Sequence, residues 1–224
     1  MSARDQILSG IARARGSAAD RAAVEERIAR HQRNLIPSRA DLPPAERVAL
    51  FAHMALENAA TVAEVATPAD VPPAVRDFLA GHNLPARVKL APDPSITGID
   101  WSVVPTLETA TGRAADADVT SVTAAMAGIA ETGTLMLAGG PDSPTTLNFL
   151  PDNHIVVLRR DQVLGNYEEA WDLIRARFGE GAMPRTVNMV TGPSRTGDIE
   201  QTIQLGAHGP RRLHIILVGG DGGP

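Results

Sequence analysis

The apolar runs of this chain are strand-sized, and they alternate with stretches of helical periodicity. The longest, Leu213-His214-Ile215-Ile216-Leu217-Val218, is too short to cross a bilayer as a helix. Similar runs lie at 61–66, 87–90, 118–122, 133–137, 154–158 and 186–190, most of them bounded by Gly, Pro or Asp. Between them, 45–60 carries Val48, Phe51, Ala52, Ala55, Leu56 and Ala59 at helical spacing. Residues 73–80 and 167–178 carry helical patterns that stop at Gly81 and Gly179. Strands of this kind separated by helices predict an α/β domain with a mostly parallel sheet flanked by helices. In such sheets ligands gather beyond the C-terminal ends of the strands. Trp101–Val104 reads as a further strand, and the chain from there to Arg113 as irregular.

The predicted domain occupies 45–224, behind an N-terminal helical extension and linker over 1–44. In the extension, Ile7, Leu8, Ile11, Val24 and Ile28 form an interrupted apolar stripe, which Gly10 and Gly16-Ser17 divide into one helix or two. Residues 1–39 hold eight Arg and four acids, although the whole chain has a net charge of −5. The arm has no Lys and no aromatic residue for stacking, which argues against nucleic acid. Docking to a partner protein, or to another copy of the chain as a homo-oligomer, stays open. The start of the chain shows no secretory apolar region and no transmembrane segment is predicted, so a cytoplasmic protein is expected.

Cysteine is absent, which excludes disulfides, thiolate nucleophiles and Cys-ligated iron–sulfur or zinc sites built from this chain's own residues. None of the six His residues has H-x-x-H or H-E-x-x-H spacing, so no metal site is expected.

Two Gly-flanked polar turns carry the candidate chemistry. Thr191-Gly192-Pro193-Ser194-Arg195-Thr196-Gly197-Asp198-Ile199-Glu200 follows a buried strand. Its Gly-Pro pair turns the chain, and Ser194 and Thr196 are hydroxyls of the kind that cap a helix start. A helix N-terminus there, with Arg195 beside it, would hold a carboxylate or phosphate through Gly192, Ser194, Arg195 and Thr196. Gly192-Pro193-Ser194-Arg195-Thr196 departs from a nucleophile elbow at its fifth position, and no triad completes it, so Ser194 reads as a cap or binding group. In Gly128-Ile129-Ala130-Glu131-Thr132-Gly133-Thr134, a lone acid among small residues is either a general base or a structural carboxylate. His208, in the turn Gly206-Ala207-His208-Gly209-Pro210-Arg211, is a candidate proton carrier near the anion turn, or a hydrogen-bonded turn histidine. His154, opening a strand, reads as structural.

Gly128–Leu137, Leu150-Pro151-Asp152-Asn153-His154-Ile155, Gly192–Glu200 and Gly206–Arg211 followed by Leu213-His214, taken in this order, resemble the LUD-domain family, and within it the lactate-utilisation C proteins. The resemblance covers about 45–220. It implies the α/β fold shared by sugar-phosphate isomerases, CoA transferases and formyltetrahydrofolate cyclo-ligase. It also implies a subunit of a three-protein assembly that oxidises L-lactate to pyruvate. Iron–sulfur clusters are then expected on the partner proteins and no cofactor in this chain; the polar turns themselves point to Glu131 and His208 for the catalytic roles. Thr145 and Thr146 stand where many relatives carry a basic residue. Two rival readings remain: a stand-alone enzyme on a phosphorylated or acyl-CoA-type metabolite, and a non-catalytic scaffold whose Arg-rich arm docks the redox partners.

Overall fold

A computed structural model describes residues 2–14, 21–179, 181–196 and 204–219. The chain divides into two compact units, Met1–Leu35 and Ile36–Pro224. The first holds helix α1 (Ala3–Ala14) and helix α2 (Arg21–Arg30). Ser2 and Asp5 exchange hydrogen bonds at the start of α1, Asp5 accepting from the Ser2 hydroxyl at 2.8 Å and the Asp5 N–H donating back at 3.2 Å. No residue of α1 is buried, and Ile7, Leu8 and Ile11 all stand exposed.

The second unit begins with helix α3 (Pro44–Glu57) and strand β1 (Thr61–Val65). Helix α4 (Val71–Gly81), strand β2 (Arg87–Leu90), the one-turn helix α5 (Pro94–Thr97) and strands β3 (Glu108–Thr111), β4 (Thr120–Ala124), β5 (Ala127–Ile129) and β6 (Thr134–Gly139) follow. A short helix α6 (Thr146–Phe149) leads to β7 (Asn153–Arg159), β8 (Val163–Leu164), helix α7 (Tyr167–Phe178) and β9 (Thr186–Val190). The described chain closes with β10 (Arg195–Thr196), β11 (Gln204–Leu205) and β12 (Arg212–Val218).

Six strands form a parallel sheet in the order β1-β12-β7-β4-β2-β3. Within it the neighbouring strands β12 and β7 are mostly apolar on both faces, as cover on both sides requires. Ile155 and Val157 of β7, with Ile216 and Val218 of β12, pack beneath Val75, Phe78 and Leu79 of α4. The alternate residues Val156, Leu158, Ile215 and Leu217 face Phe51 and Ala55 of α3 together with Leu135 and Leu137 of β6. The second sheet, β8-β5-β6-β9, is mixed. It turns Leu135 and Leu137 toward the parallel sheet, and Met136 and Ala138 toward Ala170 and Ile174 of α7.

Three local readings are corrected. Trp101–Val103 is a 3₁₀ turn, because the Asp100 carboxylate accepts the Ser102 N–H at 3.0 Å and its hydroxyl at 2.6 Å. β3 is an edge strand exposed along its whole length, so it carries no apolar alternation to read. Arg195–Thr196 is not the start of a helix: it is a strand paired antiparallel with Gln204–Leu205. Gly197 to Glu200 lie outside the described residues.

Two histidines are folded into the parallel sheet in neutral form. Burial holds the His154 imidazole down to about 3, while its Nε2 sits 2.7 Å from the Thr123 hydroxyl. Burial, with a smaller contribution from His82, holds His214 down to about 4, against an opposing hydrogen bond to Thr61. Its ring stacks on Phe78 with centroids 4.4 Å apart. The unfolded chain takes up these protons near the ordinary value of 6.5, so their stabilising effect is complete above that pH. It is lost progressively as pH falls toward the folded values. The urea midpoint is therefore expected to drop between pH 7 and pH 5, and His214→Asn to show a shallower drop; equal slopes would refute this account.

Candidate functional site

The two polar turns meet at the C-terminal end of α3, on Asn58. The Asn58 side-chain amide donates to the Met54 carbonyl at 2.8 Å and to the Thr132 carbonyl at 3.1 Å, which holds the β5–β6 turn against the helix. Its own carbonyl accepts from the Arg195 guanidinium at 2.7 Å, which holds the turn after β9. A cation on a helix C-terminal carbonyl also complements the helix dipole.

The approach is close enough to explain a glycine in each turn. Gly192 has φ +71°, and a Cβ there would lie 2.2 Å from the Asn58 carbonyl oxygen. Gly133 has φ +65°, and a Cβ there would lie 2.5 Å from the Ala55 nitrogen. Only a residue without Cβ adopts this backbone against a helix end at no steric cost.

Glu131 is buried at 7% exposure in the β5–β6 turn, with its N–H on the Gly165 carbonyl at 3.1 Å. Its Oε2 has no hydrogen-bond partner. Burial pushes its carboxyl above the usual range, partly offset by the Arg39 charge. A carboxyl in this state is suited to exchange a proton nearer neutrality than an exposed one.

Beside it, four hydroxyls form a cluster that sequence reading does not reveal. Thr134 Oγ1 lies 2.7 Å from Thr132 Oγ1, 2.9 Å from the Tyr167 phenol and 2.7 Å from Thr191 Oγ1. Thr132 is also 3.1 Å from Tyr167. The sequence signals were slight: one tyrosine in the chain, and threonines flanking Gly133 and preceding Gly192. Asn58 offered less still, one polar residue just beyond a helix end.

Ser194 and His208 make a second contact. The Ser194 N–H donates to the Pro210 carbonyl at 2.8 Å, its carbonyl accepts from Gly206 at 3.0 Å, and its hydroxyl accepts the His208 backbone N–H at 3.4 Å. The two loops are thus packed together, but the His208 contact is through its backbone. Among the described residues, no hydrogen bond joins His208 to Glu131. Thr196 contributes backbone pairing to β10.

The anion turn differs from expectation in two ways. Where a helix start was expected at Arg195, the described residues form a paired strand, and the Ser194 N–H is already engaged. The site also lies at the opposite edge of the parallel sheet from the strand C-termini. Asn58 precedes the N-terminal end of β1, and the His208 loop enters the N-terminal end of β12. The Gly-rich turns belong to the second, mixed sheet, to which the rule for parallel strands does not apply. A separate open groove of about 450 Å³ runs between β1 and α4, past Glu64, Asp70, Asp77, Phe78 and His214; none of the predicted site residues lines it. Among the described residues no group of three or more His, Asp or Glu is arranged to hold a metal ion, and no helix is long and apolar enough to cross a membrane.

A doubly covered parallel sheet, with a small mixed sheet carrying polar turns at its rim, defines the class as α/β. The LUD domain model matches residues 48–218, and the chain belongs to the LUD domain family. It is similar to lactate utilization protein C of Deinococcus radiodurans, 40% identical over 92 residues, and of Bacillus subtilis, 33% identical over 91 residues. An uncharacterised protein of Neisseria meningitidis is 38% identical over 94 residues. These stretches cover 41%, 40% and 42% of this chain, and 42%, 38% and 40% of the relatives' own lengths. The crystal structure of a DUF162 family protein from Deinococcus radiodurans superposes with a TM-score of 0.61 at 28% identity, over 80% of this chain and 99% of that one.

Two outcomes test this geometry. Gly192→Ala should destabilise the protein by on the order of 2 kcal/mol in urea denaturation, since it combines a left-handed backbone with a backbone clash; a change within error would show that the turn is free to move. Glu131→Gln should raise the urea midpoint at pH 8, where the buried carboxylate is least favourable, and the gain should shrink toward pH 4. A gain independent of pH would argue that the charge is not the cause.

Proposed function

We propose that this chain is the cysteine-free, cytoplasmic subunit of a lactate-utilisation system that oxidises L-lactate to pyruvate together with iron–sulfur partner proteins. The observation that carries the reading is the meeting of both polar turns on Asn58. It sets a guanidinium, a buried carboxyl of raised pKa and a hydroxyl cluster around one helix end. A 2-hydroxy acid needs these functions together: a cation for its carboxylate, a partner for its hydroxyl and a proton acceptor. The relatives named lactate utilization protein C support the lactate-utilisation part of this reading.

Oxidising the α-carbon releases two electrons and two protons. Glu131 is the proposed first proton acceptor, and His208, on the loop packed against Ser194, the second carrier. The carboxylate is assigned to Arg195 with Gly192, Ser194 and Thr196 shaping the turn. Nothing in this sequence offers a thiolate, so its residues do not fit an iron–sulfur cluster, and the redox group is assigned to a partner.

Isothermal titration with L-lactate and pyruvate, on wild type and Arg195→Ala, tests the assignment. Charge-assisted hydrogen bonds contribute roughly 1.5–3 kcal/mol, so the variant should bind about tenfold more weakly or worse. Equal affinity in both proteins would remove Arg195 from the site.

A further inference from the structure

We propose that Thr191 is the residue that reads the ligand's hydroxyl, and that the hydroxyls behind it restrict it to accepting a hydrogen bond. The inference rests on the reading above that a small hydroxy acid binds at this rim, and it names what that site selects.

The argument is a count of protons. Thr132, Thr134, Tyr167 and Thr191 make four mutual contacts of 2.7–3.1 Å. Each contact needs one proton, and each hydroxyl has one to give. Thr191 touches only Thr134 within the cluster, so its proton goes there. The remaining three protons then run one way round the triangle of Thr132, Thr134 and Tyr167.

Thr134 donates once and accepts twice, and is saturated as well as fully buried. The capacity left over is lone pairs alone: two on Thr191 and one each on Thr132 and Tyr167. Of the four, only Thr191 is exposed. It immediately precedes Gly192, in the turn that Arg195 ties to Asn58.

Lone pairs facing outward favour a ligand group that donates. The α-hydroxyl of a 2-hydroxy acid donates; the ketone of the corresponding 2-oxo acid only accepts and would face lone pairs. The site therefore prefers the hydroxy acid to its oxidised product, which favours product release.

The test is titration of L-lactate and pyruvate into wild type, Thr191→Val, Thr191→Ser and Thr134→Val. Wild type should prefer lactate. Thr191→Val, similar in shape but without the hydroxyl, should weaken lactate roughly 3- to 10-fold, the range of one neutral hydrogen bond, and leave pyruvate unchanged. Thr191→Ser should restore lactate binding. Thr134→Val takes away the acceptor of the Thr191 proton, so that proton turns to the ligand and the preference should shift toward pyruvate.

Equal weakening of both ligands in Thr191→Val, or no rescue by Ser, would overturn the role of Thr191. An unchanged ratio in folded Thr134→Val would overturn the proton count; if that variant fails to fold, the Val and Ser pair at 191 decides. Wild type that binds neither acid would sink the hydroxy-acid reading and this proposal with it, a result distinct from a change in selectivity.

Discussion

The candidate site depends on the way one helix ends. α3 runs into Asn58 with its last carbonyls unpaired by helix bonds, as every helix must. Here the end is not left to water. The Asn58 amide reaches back to Met54 and across to Thr132, while its carbonyl takes the Arg195 guanidinium. Two loops distant in sequence are thereby fixed to the same few atoms. Gly133 and Gly192 follow from that closeness, since a Cβ at either position would enter α3's own backbone. The helix is in turn anchored by Phe51, fully buried against both sheets. The site inherits its rigidity from the core and not from its own loops.

The parallel sheet was legible in the sequence for a physical reason. Strands covered on both faces must be apolar throughout, and 154–158 and 213–218 read that way. Helix α7 announced itself too, with Glu168 and Glu169 in its first turn, Arg175 and Arg177 in its last and Gly179 past its end. What stayed hidden was what periodicity does not encode. β3 is exposed on both sides, and β5 is only three residues long, its Gly128 pressed beneath Phe51 and Leu158. Trp101–Val103 is shaped by the Asp100 side chain and not by alternation.

The candidate site was legible only in part. Glu131, Gly192 and Arg195 stand out as an acid and a base among glycines and small residues. The expected helix at Arg195 was a reasonable inference from Ser194 and Thr196, but Ser and Thr serve turns and strands as readily as caps. Antiparallel pairing with the nearby Gln204–Leu205 decided it. Asn58, Thr134 and Tyr167 could not be found from their own neighbourhoods. Their significance lies in contacts spanning 33 to 137 residues, and a single sequence does not display such contacts.

The placement of the polar turns also follows from how hydrogen bonds are distributed. The central strands of the parallel sheet have ladder partners on both sides, and their buried polar side chains, such as Thr123 with His154, are bonded to one another. The mixed sheet differs. Its β5–β6 turn and the end of β9 reach beyond the strand ladder, and their polar groups need partners that the ladder does not supply. Asn58 satisfies some of them, and the hydroxyl cluster satisfies others within itself. Glu131 is left with one buried carboxylate oxygen that has none, as is the Asn188 amide of β9. Leaving that oxygen without a hydrogen bond has a desolvation cost that the Arg39 charge offsets only in part. The place of Glu131, one residue from the Asn58 contact and beside the hydroxyl cluster, is what the proposed role as proton acceptor calls for.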